Sequence, residues 1–181
     1  MPETEPSAPR FTVETARVLA EVAHNRQKDK LKRPYREHVL AVGDALADFD
    51  EDIQIAGYLH DIAEDTPITR QALLEMGVSE RAVDIIERVT KRLQDNPDDY
   101  QSGIRAIAEH HDATLVKIAD NAHNSLPERV QALAEKWPDK PPVTRYAEAR
   151  PVLYAAVPVE ETRKILARIN PWLLAELEGD A

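Results

Sequence analysis

Two short stretches hold most of the residues able to do chemistry. In residues 56–65 (Ala-Gly-Tyr-Leu-His-Asp-Ile-Ala-Glu-Asp), His60 and Asp61 are adjacent, and Glu64 and Asp65 follow a turn later. On a helix, His60 would share a face with Glu64, and Asp61 with Asp65, the two pairs offset by about 100°. Ile53, Ile55, Ala56, Leu59 and Ile62 surround them with apolar surface. Burying that much charge unpaired is expensive, and a divalent cation removes the cost by satisfying the carboxylate lone pairs. A capped helix end whose acids face water is the competing account, and this stretch alone leaves both open.

The second stretch, 117–124, reads Lys-Ile-Ala-Asp-Asn-Ala-His-Asn. Asp120 and Asn124 are one helical turn apart, directly after the apolar run 114–118. His38 is the third fragment, on a helix announced by Pro34 and Tyr35. Each has a bland alternative: a helix end turning polar, or a hydrogen-bonded histidine in a core. His110 and His111 read as solvated residues ending a helix, favoured there by its dipole. Cysteine is absent, so any metal must be held by imidazole and carboxylate, and a Cys-type zinc site is excluded.

The elements that must position these residues are helical. The apolar stripe Ala16, Leu19, Ala20, Ala23 predicts a helix over 13–28. A basic loop follows, then a helix with Pro34 in its first turn and Val39, Val42 and Leu46 on its face. An acidic linker, 48–52, leads into a helix over 53–64, ended by Thr66 before Pro67. Pro67 or Thr69 opens a short helix that Gly77 stops, and Ser79 caps the next. Asn96 and Pro97 are a cap and first-turn pair for a helix carrying Ile104 and Ile107, and Asp112 is placed as the cap of the helix through Ile118. Pro138, Pro141 and Pro142 mark the clearest loop. Thr144 starts a helix toward Leu153, Pro158 ends it, and the last helices carry Ile165, Leu166 and 173–177. The organisation expected is one all-α domain: a tail over 1–10, a catalytic helical core over 11–136, and a C-terminal helical cover over 144–178.

A chain of 181 residues suits one core and buries roughly 70% of its unfolded surface without a staple. No run of 18 apolar residues exists, and 1–10 is rich in Pro and Glu, so neither a membrane span nor a signal peptide is expected. The lack of cysteine fits a cytoplasmic protein. The net charge of −10 repels nucleic acid polymers unless a local patch overrides it. Arg26, Lys28, Lys30, Lys32, Arg33 and Arg36 form one such patch. It is either a solvated basic run or a lid that steers a small anion toward a metal. The sequence is silent on oligomeric state.

Taken in order, the pieces form a pattern: Ala23-His24, then Lys32-Arg33-Pro34-Tyr35-Arg36-Glu37-His38, then Leu59 through Thr66, then Val89-Thr90-Lys91, then Lys117 through Asn124. This resembles the hydrolase domain of the RelA/SpoT-type alarmone enzymes, within the HD superfamily, over residues 12–130. The resemblance implies an HD-type helical bundle. It implies a single divalent transition metal, manganese first among the candidates, on His38, His60, Asp61 and Asp120. It places Glu64 and Asp65 at the hydrolytic water and Asn124 in a nucleotide pocket, after the lead-in Pro34-Tyr35. Lys28, Lys30, Lys32, Arg33 and Tyr35 are expected to meet the substrate, with Lys91 a weaker candidate for a distal phosphate.

The activity implied is removal of the 3′-pyrophosphate of guanosine tetra- or pentaphosphate. The alternatives are an HD phosphohydrolase for another nucleotide and a non-catalytic nucleotide-sensing or protein-binding module. Some positions depart from the family pattern. Its Arg-Lys-Ser-Gly-like stretch is here Asp29-Lys30-Leu31-Lys32, and the sites of a common arginine and threonine are Asn121 and Pro127. An aspartate near a phosphate is expected to weaken binding by like-charge repulsion.

Overall fold

The computed structural model describes residues 10–90, 100–139 and 144–178. Residues 1–9 of the tail expected over 1–10, Lys91, the Asn96-Pro97 pair and Pro141-Pro142 lie outside the described residues. The helices are α1 (Val13–Ala23), α2 (Arg36–Ala45), α3 (Glu51–Leu59), α4 (Ile62–Asp65), α5 (Arg70–Glu75), α6 (Glu80–Val89), α7 (Tyr100–Ala108), α8 (His111–Asn124), α9 (Pro127–Lys136), α10 (Thr144–Ala155) and α11 (Val159–Ile169), followed by a 3-10 segment, Pro171–Leu177. No strand occurs among the described residues, as expected for an all-α protein; an isolated bridge pairs Lys28 with Pro34.

Side-chain caps start several helices. Thr12, Asp50, Thr69 and Ser79 each accept a hydrogen bond from a backbone N–H in the first turn, satisfying donors the helix itself cannot. Asp112 is not the cap of α8: His110 holds that position without a side-chain bond, and Asp112 sits in the first turn and pairs with Arg81. His110 and His111 therefore begin a helix rather than end one, and His111 bonds to Asp112 and Glu161. Gly77 ends the α5 turn at φ 91°, a conformation that favours glycine.

α8 is the central element. Ala113, Leu115, Val116, Ile118, Ala119 and Ala122 are all buried, and it packs on α2, α3, α6, α7, α10 and α11. α3 lies against α1, α2 and α6. α2 and α3 approach closely at Gly43, where an added Cβ would fall 2.1 Å from the Tyr58 ring. That contact sets the distance between the helices that carry His38 and lead to His60.

Two expected helices differ. α1 ends at Ala23, not near 28. Past Ala23 the N–H groups of Asn25 and Gln27 bond only three residues back, to the Val22 and His24 carbonyls. The chain then turns into a tight hairpin in which Tyr35 N donates to the Gln27 carbonyl, Asp29 N to the Arg33 carbonyl and Lys32 N to the Asp29 carbonyl. The helix expected over 53–64 is two helices. His60 is the last helical residue of α3's path, and Asp61 leaves it at φ −100°, ψ 2° before α4 resumes. His60 Nδ1 bonds the Gly57 carbonyl at 2.8 Å, inside its own last turn.

Candidate metal centre and cleft

The break between α3 and α4 turns His60 and Asp61 toward the same point, because the pair no longer follows one helical spiral. His60 Nε2 lies 2.9 Å from Asp61 Oδ2 and 3.2 Å from His38 Nε2. His38 Nε2 is 3.3 Å from Asp120 Oδ1 and 3.6 Å from Asp61 Oδ2. Donor atoms of His38, His60 and Asp120 all lie within 4.8 Å of one another, and all three residues are buried. Helices α2 and α8 and the α3–α4 junction thus bring four ligand-type residues together.

Each is oriented by another group. His60 Nδ1–H donates to the Gly57 carbonyl, leaving Nε2 to face the cluster. His38 Nδ1 lies 2.9 Å from His123 Nδ1, and their rings are 4.7 Å apart. Burial and the neighbouring His38 push the His123 pKa down to about 3, so His123 is neutral and its Nδ1 can accept a hydrogen bond from His38 Nδ1–H. Tyr35 OH donates to Asp61 Oδ2 at 2.5 Å. Asp120 receives Lys117 Nζ at 2.6 Å on Oδ2 and Asn124 Nδ2 at 2.7 Å on Oδ1. Such outer partners are what a metal site uses to fix ring tautomers and carboxylate direction.

The electrostatics fit a cation. Burial opposes ionising His60, yet Asp61 and Asp120 outweigh it and lift its pKa to about 9. Burial also disfavours the Asp120 charge, but Lys117 and the histidines hold its carboxyl well below the usual range. Two imidazoles with two carboxylates suit Mn²⁺, Fe²⁺ or Zn²⁺ better than a hard all-oxygen cation site.

The cluster opens into a cleft of about 1100 Å³. Of the residues picked from sequence, Glu64, Asp65, Lys28, Lys30, Tyr35, Asp61, Asp120 and Asn124 line it. Asp65 has a raised pKa, from burial first and then the charge of Asp61. Lys32 and Arg33 are not brought to this cleft. Arg33 lines a separate cleft of about 150 Å³ behind His38, and Lys32 occupies the left-handed turn position of the hairpin, at φ 66°. The basic run is therefore a clipped hairpin, and only part of it faces the site. Asp29 is also not the free negative charge expected. Its Oδ1 accepts Leu31 N and Arg33 N at 2.8 and 2.9 Å, and its Oδ2 accepts Arg129 Nη1 at 2.7 Å.

Several lining residues escaped the sequence reading. Lys117 had a signal, three residues before Asp120. Arg129 of α9, Tyr100 of α7, and Arg145 and Tyr146 of α10 had none, because only the tertiary fold brings them in. The Arg145 guanidinium sits 4.9 Å from the Tyr100 ring centre and 5.0 Å from that of Tyr146. Asn121 Nδ2 donates to the Tyr146 carbonyl at 3.0 Å, fastening α10 to α8.

The HD-domain family model matches residues 16–125, which span every ligand-type residue of the cluster. The chain belongs to the HD-domain family. A probable guanosine-3′,5′-bis(diphosphate) 3′-pyrophosphohydrolase of Synechocystis is 29% identical over 153 residues, 76% of this chain and 20% of that protein. The Haemophilus influenzae protein of that name is 30% identical over 134 residues, 68% of this chain and 19% of its own length. This HD-domain chain spans about a fifth of the length of these curated relatives. A solved structure described as a metazoan ortholog of SpoT that hydrolyzes ppGpp matches with TM-score 0.58 at 21% identity, covering 96% of this chain and 98% of that one. At that identity the likeness establishes the shared helical fold.

Proposed function

We propose that this chain is a metal-dependent phosphohydrolase that removes the 3′-diphosphate of guanosine tetra- or pentaphosphate. The products are guanosine di- or triphosphate and pyrophosphate. The observation that carries this reading is the meeting of His38, His60, Asp61 and Asp120 at a cleft walled by Lys28, Lys30, Lys117, Arg129 and Arg145, in a chain of net charge −10. The names of the relatives point to the same substrate.

One divalent metal ion held by these four residues, manganese first among the candidates, would supply Lewis acidity at the phosphoryl group and acidify water there. Tyr35, Lys117, Asn124 and His123 keep Asp61, Asp120 and His38 aimed, and the Gly57 carbonyl holds His60. Glu64 orients the attacking water and takes its proton. The water oxygen bonds to the phosphorus on the 3′ oxygen, the P–O3′ bond breaks, and its electron pair stays on O3′, which takes up a proton. Asp65, with its raised pKa, is suited to deliver that proton. Lys28 and Lys30 counter the phosphate charge. Most of the remaining work is positioning and charge compensation.

Residues 11–136 form the catalytic core in this reading, and 144–178 a cover of the same domain, with Arg145 and Tyr146 closing one side of the cleft. The partner is a small nucleotide rather than a nucleic acid polymer, and the setting is the cytoplasmic nucleotide pool. No described helix is long and apolar enough to cross a membrane.

A second reading, another nucleotide as substrate, is favoured by Leu31 and Pro127. They bring no hydroxyl to positions where the family pattern has one. The deciding experiment measures kcat/KM for guanosine tetraphosphate beside other nucleoside 3′- and 5′-phosphates with Mn²⁺. A roughly hundredfold preference for another nucleotide, about 2.7 kcal/mol in transition-state stabilisation, would remove the alarmone assignment and keep the hydrolase.

A further inference from the structure

The hairpin after α1 and the helix α9 are 100 residues apart in sequence and meet through one buried ion pair, Arg129 Nη1 to Asp29 Oδ2 at 2.7 Å. Both side chains are nearly closed to solvent, at 10% and 6% exposure. A second tie joins the same elements, from Lys136 Nζ to the Lys30 carbonyl. Arg129 nevertheless lines the cleft, next to Asn124.

The pair is not an even exchange of charge. Asp29 spreads its negative charge over three donors: the backbone N–H groups of Leu31 and Arg33, and Arg129. Arg129 commits Nη1 alone to the carboxylate. Its Nη2 reaches Asn124 Oδ1 only at 3.5 Å, a long and weak contact. A guanidinium in a two-pronged bond would have spent its fork, whereas this one keeps donor capacity on the Nη2 edge beside Asn124. That edge is close to the centre: Asn124 in turn bonds Asp120 Oδ1 at 2.7 Å. A carboxylate at position 29 therefore serves the cleft by seating a cation in it.

We infer that Arg129 is an anion-binding residue of the cleft, which receives a phosphate of the substrate, and that Asp29 is the positioning residue that holds it there. The inference rests on the phosphohydrolase reading for the word substrate, but the anion site stands on its own geometry. It makes position 29 and position 129 one functional unit: the cation sits on α9, and the loop supplies the clip.

The test uses the manganese-loaded protein and two probes. Pyrophosphate binding is followed by calorimetry at fixed Mn²⁺, and guanosine tetraphosphate turnover by product release. Arg129→Gln is expected to weaken pyrophosphate binding about tenfold and to raise KM by a similar factor with kcat and metal content kept, the size of one charge-assisted hydrogen bond. Asp29→Asn keeps an acceptor for the hairpin amides and removes the carboxylate that seats Arg129. It is expected to weaken pyrophosphate binding, by less than Arg129→Gln does, with metal content kept. Unchanged pyrophosphate affinity in Arg129→Gln overturns the anion site, and an Asp29→Asn affinity equal to or above wild type overturns the positioning role. Should Asp29→Asn fail to fold, Arg129→Lys decides: it keeps the charge and is expected to recover part of the lost affinity, and no recovery over Arg129→Gln counts against the site. If the wild type turns over no guanosine tetraphosphate but Arg129→Gln still loses pyrophosphate binding, the substrate reading falls and the anion site remains. If turnover is present and both probes ignore Arg129, the reverse holds.

Discussion

The Tyr35 hydroxyl donates to Asp61 Oδ2 at 2.5 Å, so the residue that opens α2 fixes the carboxylate released at the α3–α4 break. The Tyr35 ring is in turn packed between His24 and His38, with centroids 5.5 and 5.3 Å away. Burial and the facing Asp61 raise the phenol pKa, so it stays a donor throughout the neutral range. Tyr35→Phe keeps the packing and removes the bond. Manganese affinity is expected to fall roughly tenfold, the usual cost of losing an outer partner of a metal ligand. Manganese titration of the two proteins measures this; equal affinity would show that Tyr35 only packs.

Metal content is the most direct check on the centre. Purified protein should carry close to one transition-metal ion per chain, judged by elemental analysis against protein concentration. Chelation should abolish turnover and Mn²⁺ should restore it. Protein that binds no metal even when titrated would sink the assignment of His38, His60, Asp61 and Asp120.

Asp61 and Glu64 separate the ligand role from the water role. Asp61→Ala should lose both metal and turnover. Glu64→Gln should keep the metal while kcat drops about a hundredfold, within the range of general-base contributions. Matching metal loss in the two variants would move Glu64 into the ligand set.

Gly43 tests the spacing of α2 and α3. A methyl group there meets the Tyr58 ring at 2.1–2.4 Å. Gly43→Ala should destabilise the fold by about 1–3 kcal/mol through overpacking. Because α2 carries His38 and α3 leads to His60, manganese affinity should fall with it. Thermal melts and metal titration on one preparation read both effects, and a melt unchanged from wild type would mean that the helices part freely.

Asp29 gives the pH dependence a sign. Burial works against its charge, but the Arg33 amide and Arg129 outweigh that and lower its pKa below 3.8. A carboxyl with a depressed folded pKa adds stability that is present above its unfolded pKa and lost as pH falls through the folded value. Wild type should therefore exceed Asp29→Asn in stability by a constant margin from pH 7 down to about 5, and the margin should shrink below about pH 4. Urea melts across that range measure it; a margin independent of pH would show that the charge of Asp29 contributes nothing.

Much of the centre was legible because its residues sit at short, helix-compatible spacings. His60 with Asp61, Glu64 with Asp65, and Asp120 with Asn124 each announce themselves locally. Apolar periodicity and caps such as Thr69 and Ser79 made the helical architecture readable in the same way. The hairpin was not readable. Its basic residues look equivalent in the sequence, but the Lys28–Pro34 bridge and the Asp29 clip send Lys28 and Lys30 to the cleft, and Lys32 and Arg33 elsewhere. Arg129, Tyr100 and Arg145 were invisible for a related reason. Each belongs to a helix whose own pattern is ordinary, and only packing against α8 or the hairpin gives it a place. The α3–α4 break was missed because nothing in the run of good helix residues around His60 forecasts it; its backbone conformation is evident only in the folded chain.

α8 reads out five different duties within eight residues. His123 backs His38, Asp120 faces the cluster, Asn124 and Lys117 brace Asp120, and Asn121 fastens α10. These side chains fan across one arc of the helix in steps that depend on an unbroken count of residues. One residue inserted or deleted between Lys117 and Asn124 would rotate everything beyond it by about 100° and shift it by about 1.5 Å. A point change along α8 disturbs one duty and leaves the other four in register. A change of length splits the set, because every duty beyond it moves relative to those before it. The residue count between Lys117 and Asn124 is therefore as strict a requirement as the carboxylate of Asp120.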